Sequence, residues 1–147
     1  MVSEILVNDD VVAELRAGDP ARAAVFTASC AERLVQLFTG LRGDDPARAG
    51  DVEILLDVLD ELWDATLPGS VFASRAERLE RFVEIVRADN GEELTTAVDA
   101  YAFHSVLAVL HAAGYRDGRL GRGCLVCPCG VDCDGAARPE RAGRGQL

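Results

Sequence analysis

The chain contains no lysine, so all 15 of its basic side chains are arginines. Acidic residues number 25, and the formal net charge is −10. Non-specific nucleic-acid binding needs a basic surface, which this charge balance argues against. No apolar run approaches the roughly 20 residues of a membrane span, and the first ten residues lack the basic stretch of a signal peptide. We therefore expect a cytoplasmic protein with neither a nucleic-acid nor a membrane partner.

Aromatic residues are also scarce, at 5% of the chain, although hydrophobic residues make up 49%. The core must therefore be built from alanine, valine and leucine, which suits closely packed helices. A chain of 147 residues has the length of one domain, and a domain of this size buries about 68–70% of its unfolded surface. We expect an all-α bundle of about five helices.

Capping signals and apolar spacing predict where these helices begin. Asp19-Pro20 and Asp45-Pro46 each place an N-cap acid before a proline, which is tolerated at the first helical position. Ser74-x-x-Glu77 has the pattern of a capping box. A short helix precedes these three, and a fifth follows Asn90-Gly91. The predicted helices begin near Asn8, Pro20, Pro46, Ser74 and Glu92.

Helical spacing of apolar residues also predicts which faces are buried. In the second predicted helix two neighbouring stripes are apolar, so we expect burial against more than one partner and a core position for Cys30. The second stripe is Cys30, Leu34, Leu37 and Leu41. The third predicted helix would bury Val52, Leu55, Leu56, Leu59, Leu62 and Trp63. The fourth would bury Leu79, Phe82, Val83 and Val86.

The composition changes near residue 115, which predicts a helical domain over 1–115 and a tail over 116–147. The tail holds seven of the 14 glycines and has no serine or threonine. Residues 1–115 carry 21 acids and 9 arginines, a net charge of −12, whereas the tail carries 4 acids and 6 arginines, a net charge of +2. An acidic body is therefore followed by a mildly basic, irregular tail.

Four cysteines with the spacing C-x2-C-x-C-x3-C lie within ten residues of this tail. Thiols stay reduced in the cytoplasm, where such a cluster is typical of a metal site. Structural zinc takes four ligands, and C-x2-C is a common half-site. The C-x-C step also suits Cu(I), which prefers thiolates. The predicted zinc or Cu(I) ligands are Cys124, Cys127, Cys129 and Cys133.

Nearby arginines are candidates for favouring the thiolate form of these cysteines. They are Arg116, Arg119 and Arg122.

Two other fates remain open for the same cysteines. They can form disulfides, for which four cysteines allow three connectivities. Alternatively, the helical body is the leader of a precursor peptide and an enzyme modifies the cysteines of the tail. The absence of serine and threonine from 116–147 excludes modification by dehydration of those residues. Modification that involves only cysteine remains open.

The body offers weaker candidate sites. His104 and His111 are seven residues apart and about 10 Å along a helix, too far to share one ion, so we expect packed or surface histidines. Asp99 falls on an apolar helical face, and we expect an ion pair with Arg33 or with an arginine of the fourth helix. An acidic face on the third helix suits a basic partner, divalent ions or solvent. We assign no catalytic or cofactor-binding residue.

Three stretches, FTASCAERL from Phe26, VLDELWDA ending in Asp64-Ala65 and AVDA around Asp99, resemble a known family. It is the uncharacterised bacterial helical family catalogued as domain of unknown function 416, and the likeness covers about residues 20–113. The resemblance implies an all-α bundle with no established activity. Where that family continues with further helices, this chain has its cysteine-bearing tail.

The function we expect is a non-enzymatic interaction module with a thiolate metal site in its tail. One alternative is the precursor peptide, whose partner would be a tail-modifying enzyme. Another is an acidic immunity-type protein that binds a basic protein.

Overall fold

The computed structural model describes residues 10, 13–14 and 17–118. Over these residues it consists of five α-helices and one 3₁₀ turn, with no strand. They are α1 (Pro20–Arg42), the 3₁₀ turn (Pro46–Arg48), α2 (Ala49–Trp63), α3 (Gly69–Glu80), α4 (Val83–Asp89) and α5 (Ala97–Asp117). The predicted all-α bundle of about five helices is confirmed. Most of the predicted first helix and nearly all of the predicted tail lie outside the described residues, so the division at residue 115 stays a prediction.

The two Asp-Pro pairs start helices as predicted. The Asp19 carboxylate accepts a hydrogen bond from the Ala21 N–H at 3.0 Å, and Asp45 accepts one from Ala47 at 3.0 Å. Each carboxylate thereby satisfies an N–H that has no partner inside the helix. Behind Asp45 the chain first makes the 3₁₀ turn and only then continues as α2.

The predicted capping box at Ser74 is wrong, because α3 begins five residues earlier at Gly69. The Ser74 hydroxyl donates to the Val71 carbonyl at 2.9 Å from within the helix. Pro68 is the extended residue just before α3, a place where the missing N–H of proline costs nothing. A Pro-Gly pair that reads as a helix breaker therefore also serves as a helix start.

The predicted fourth helix is divided into α3 and α4 at Phe82, whose φ of −60° and ψ of 139° are extended. Because of this break, α4 presents a different face to the core than a continuous helix with the predicted apolar spacing would. Leu79 and Phe82 are buried as predicted, but Glu84 and Ile85 take the inward positions in α4. The prediction that Val83 and Val86 are buried is wrong, since they are 55% and 42% exposed.

The fifth helix begins later than Glu92. Thr96 is its N-cap, with a hydroxyl that accepts a hydrogen bond from the Asp99 N–H at 3.1 Å. Such a cap satisfies one of the free N–H groups of the first turn. This start places Asp99 in the first turn of α5, where the helix dipole favours a negative charge.

Helices α1 and α5 form the most extensive pairing of the bundle and run antiparallel. Arg42 at the end of α1 contacts Asp99 at the start of α5, while Pro20 at the other end of α1 lies beside Tyr115. Many buried positions of this pair are small: Ala23, Ala28, Ala31, Ala102, Ser105, Ala112 and Ala113. Small side chains let the two backbones approach closely. Helix α3 packs against α5, and α2 against α1.

Larger side chains fill the space between the helices. The largest of those that are fully buried are Phe38, Phe72, Leu55, Leu79, Val35, Val58, Val106 and Val109. Phe38 and Phe82 approach with ring centroids 6.0 Å apart, a favourable tilted arrangement. Among the described helices, none has both the length and the hydropathy of a membrane span.

The buried faces of α1 and α2 are narrower than the sequence predicts. Leu56 and Trp63 are 42% and 43% exposed, so their assignment to the core is wrong. The second stripe of α1 is also largely exposed, including Leu37, Leu41 and Cys30. Helix α1 packs mainly against α5 and α2, and these two neighbours cover the stripe centred on Ala31 and leave its flank open.

Adjacent leucines of α2 provide a test of this orientation. We expect Leu55→Ala to lower the free energy of unfolding by about 3 kcal/mol, because Leu55 is fully buried and leaves a cavity. We expect Leu56→Ala to cost less than about 1 kcal/mol, because that side chain is already largely in solvent. Urea denaturation followed by circular dichroism measures both. Equal losses would contradict the orientation of α2.

Candidate functional site

The predicted metal ligands Cys124, Cys127, Cys129 and Cys133 lie outside the described residues. Within residues 17–118, no group of three or more histidine, cysteine, aspartate or glutamate side chains is placed to hold a metal ion. Cys30, which the sequence assigns to the core, is instead an exposed free thiol on α1. Partial burial raises the pKa of this thiol, and the charge of nearby Arg33 acts in the opposite direction.

An apolar groove lies beside Gly118, the last described residue. It has a volume of about 570 Å³ and is open to solvent. We call it the exit groove. It is lined by Pro20, Ala21, Ala24, Val25, Leu62, Trp63, Ala65, Tyr115, Arg116 and Gly118.

Three helix ends meet to form the exit groove: the start of α1 and the ends of α2 and α5. Two of its large apolar side chains, Val25 and Trp63, are 55% and 43% exposed. The Tyr115 hydroxyl reaches the Pro20 carbonyl only at 3.5 Å, which is a weak link between the two rims. The groove is therefore an exposed apolar surface. It includes Trp63, which the sequence analysis assigned to the core.

Arg116 anchors one wall of the exit groove. Its guanidinium donates to the Leu62 carbonyl at 2.9 Å and to the Asp64 and Leu67 carbonyls at 3.0 and 3.2 Å. These carbonyls lie at and beyond the end of α2, where no helical N–H is available to them. The guanidinium also lies 4.6 Å from the Phe72 ring centroid, which adds a cation–π contact.

Arg116 therefore has a structural role in the body. Its predicted effect on the thiols stays a prediction, because the four cysteines lie outside the described residues. The three hydrogen bonds of its guanidinium tie α5 to the last turn of α2 and to the segment that joins α2 and α3. Gly69, at the start of α3, fits beneath this contact because a Cβ there would collide with the Arg116 carbonyl oxygen. Sequence reasoning missed this role because it assigned Arg116 to the tail, whereas the structure places it in the last turn of α5.

Gly118 ends α5 and is itself part of the exit groove. Its φ of 81° is left-handed, and its N–H bonds back to the Gly114 and Tyr115 carbonyls. Glycine adopts this conformation without the steric cost of a Cβ, and such a cap satisfies carbonyls at the end of the helix. Cys124 follows six residues later, a reach of at most roughly 20–22 Å.

At the opposite end of the bundle, Glu84 is the centre of an ionic cluster. It is 3% exposed and accepts two hydrogen bonds from Arg48, each at 2.8 Å. Arg42 donates a third at 3.3 Å and reaches Asp99 at 2.9 Å. Burial acts to raise the pKa of Glu84, but the hydrogen bonds from Arg48 and Arg42 outweigh it and the pKa is lowered.

Asp99 forms the ion pair that its sequence position predicts, although its closest partner is not Arg33. The carboxylate contacts Arg42 of α1 at 2.9 Å and Arg87 of α4 at 3.9 Å. Hydrogen bonds from Arg42 and the Thr96 hydroxyl lower the pKa of Asp99. Arg42 was missed because it lies at the end of α1, and only the antiparallel packing of α1 on α5 brings it there.

The two histidines are half-buried on α5, in line with the prediction of packed or surface positions. His104 packs edge-on against Phe103, with ring centroids 5.3 Å apart. Burial lowers the pKa of His111, which therefore carries a neutral imidazole at neutral pH.

The acidic face of α2 divides into a paired part and an exposed part. Glu61 binds the Arg75 guanidinium through two hydrogen bonds of 2.6 and 2.7 Å, so an arginine of the fourth predicted helix balances it. Glu53, Asp57 and Asp60 are exposed on the same helix. This part of α2 presents a negative surface to solvent.

The ionic cluster predicts a loss of stability in acid. A carboxylate whose pKa is lower in the folded state stabilises the fold above its unfolded pKa, and that stabilisation disappears as the pH falls through the folded value. Since the ordinary pKa of glutamate is 4.5, we expect the contribution of Glu84 to decline below that pH. We expect Glu84→Gln to cost about 3 kcal/mol at pH 7, because both arginines lose a buried partner.

Urea titrations between pH 7 and pH 3 measure this effect, with Glu92→Gln as the control. Glu92 pairs with Arg87 at 2.7 Å but is 51% exposed, so its loss should change stability little. The Glu84→Gln protein should also show a shallower loss of stability with acidification. An unchanged slope would contradict the role of Glu84.

No family model, no curated protein and no solved structure matches the chain. The resemblance to the helical family of unknown function therefore stays a prediction. What the chain does must be argued from its own residues: the ionic cluster, the exit groove and the cysteines that follow it.

Proposed function

We propose that the protein is a non-enzymatic interaction module of the cytoplasm whose C-terminal cysteines bind zinc or Cu(I). In this proposal the helical body is a rigid platform, and Cys124, Cys127, Cys129 and Cys133 are the metal ligands. Metal binding would order a segment that has too few apolar residues to fold by itself.

The observation that carries the proposal is the position of the four thiols. They begin six residues beyond Gly118, where α5 ends in a helix cap. Thiols in such a position are not needed to fill the core of the body, and four of them within ten residues can meet one ion. Four thiolates are a complete ligand set for a tetrahedral metal.

The charged groups of the body support a role without catalysis. Glu84 and Asp99 are bound by arginines, and the pKa of each carboxyl is lowered rather than raised toward neutrality. A general base or acid works best with a pKa near the pH at which it operates. The cluster has the properties of a structural support between α1, α4 and α5.

The exposed acids of α2 support a basic protein as the partner of this module. Glu53, Asp57 and Asp60 lie in solvent on a body whose net charge over 1–115 is −12. A surface of one sign attracts partners of the opposite sign and speeds their association. A basic protein would bind more weakly as the salt concentration rises.

Metal content tests the proposal directly. We expect near-stoichiometric zinc or copper in protein purified under reducing conditions, measured by native mass spectrometry and elemental analysis. The Cys127→Ser/Cys129→Ser variant should lose the metal, because two of the four ligands are removed. Cys30→Ser is the matched control and should keep it, since Cys30 lies on α1 and is not one of the four clustered thiols.

Different results separate the other hypotheses. Absence of zinc, copper and iron, or equal metal in the double variant and the wild type, would contradict the metal site. A mass change centred on cysteine after coexpression with genomic neighbours would instead identify a precursor peptide. A mass lower by one or two pairs of hydrogens under non-reducing conditions would identify disulfides.

A further inference from the structure

We propose that the exit groove is the docking site of the chain's own segment 119–126, whose Leu120, Leu125 and Val126 fill it. Docking would hold Cys124 and Cys127 close to the helical body. The inference deepens the proposed function, because it gives the body a part in positioning the thiols. The docking itself needs no metal and can therefore be tested separately.

The path of the chain is the first argument. Gly118 is both the cap of α5 and a lining residue of the groove. The segment that follows therefore starts at the groove and has no distance to cross before it can occupy it. Leu120 is two residues away and Leu125 seven, within at most roughly 7 and 25 Å of Gly118.

The chemistry of the surface is the second argument. Val25 and Trp63 expose large apolar areas in the groove, beside Ala21 and Ala24 of α1. Covering such a surface removes apolar area from water, which is favourable in proportion to the area. A volume of about 570 Å³ lies within the roughly 300–1,000 Å³ of ordinary ligand pockets. It therefore has room for several aliphatic side chains.

The tail has aliphatic residues close to Gly118 in the sequence that can fill the groove. Leu120, Leu125 and Val126 come within eight residues of Gly118, on both sides of Cys124. Beyond Val126 the tail has only two further large aliphatic residues, Val131 and Leu147, which lie sixteen residues apart. The large aliphatic residues of the tail are thus concentrated in the part that follows Gly118 directly.

Charge is the third argument, and it favours the tail over the N-terminal segment. Residues 1–16 also lie close in sequence to Pro20, which lines the groove, and contain Val11, Val12 and Leu15. They carry four acids and one arginine, a net charge of −3, on a body that is itself acidic. Residues 119–147 carry three acids and five arginines, a net charge of +2. Opposite charges favour association of the tail with the body.

Trp63 provides a direct probe, because it lines the groove and is the single tryptophan of the chain. We expect Leu120→Ser/Leu125→Ser/Val126→Ser, in the full-length reduced protein with a metal chelator, to shift the emission of Trp63 to longer wavelength. Acrylamide should quench that emission more strongly than in the wild type. Each buried aliphatic side chain favours docking by about tenfold or more, so losing three should abolish it.

The matched control is Val131→Ser/Ala136→Ser/Ala137→Ser, which makes the same kind of change farther along the tail. It should leave the emission and the quenching of Trp63 unchanged, and far-UV circular dichroism should show the same helix content in both variants. A first triple variant whose Trp63 behaves like the wild type overturns the docking proposal.

Two further results would also overturn it by identifying another occupant. One is a change of Trp63 quenching in Val11→Ser/Val12→Ser but not in the tail variant, which assigns the groove to the N-terminal segment. The other is emission that depends on protein concentration, which assigns it to a second copy of the chain. A chelator is present throughout, so evidence for docking stands even if the protein binds no metal. Likewise, evidence for metal binding stands even if the tail does not dock.

Discussion

The close antiparallel contact between α1 and α5 is the interaction on which the rest of the structure depends. It is made largely by alanines and a serine, so the two helix backbones come close together over most of their length. Helix α2 then packs on α1, and helices α3 and α4 pack on α5. The scarcity of aromatic residues and the abundance of alanine in the sequence suit this contact, because bulky side chains would hold the two helices apart.

The antiparallel arrangement also gives the two ends of the bundle different properties. At one end Arg42, Arg48, Glu84 and Asp99 bind one another and join α1, α4 and α5. Such a buried cluster is stable only when every charge has a partner, which is the case for Glu84. At the other end three helix termini leave an exposed apolar groove, which is lined in part by Gly118, the last described residue. The charged end fixes the helices, while the groove end has apolar surface available for binding.

The helical class, the two Asp-Pro helix starts and the ion pair of Asp99 were predictable because each depends on local rules. An N-cap acid needs only its own neighbours, and an acid on an apolar face requires a partner wherever that partner lies. The exit groove was not predictable. Trp63 has the helical spacing of a core residue, and nothing local indicates that α2 ends at the edge of the bundle, with this side chain in solvent.

The sequence by itself determined the all-α class, the acidic body and the concentration of thiols in a segment of different composition. These properties follow from residue type and spacing along one chain. Tertiary structure alone decided which apolar stripe is covered, where the predicted fourth helix breaks and which arginine meets Glu84. Those features depend on the distance and rotation between helices that are far apart in the sequence. Helical periodicity specifies an apolar face, but only the neighbouring helices determine how much of that face is removed from water.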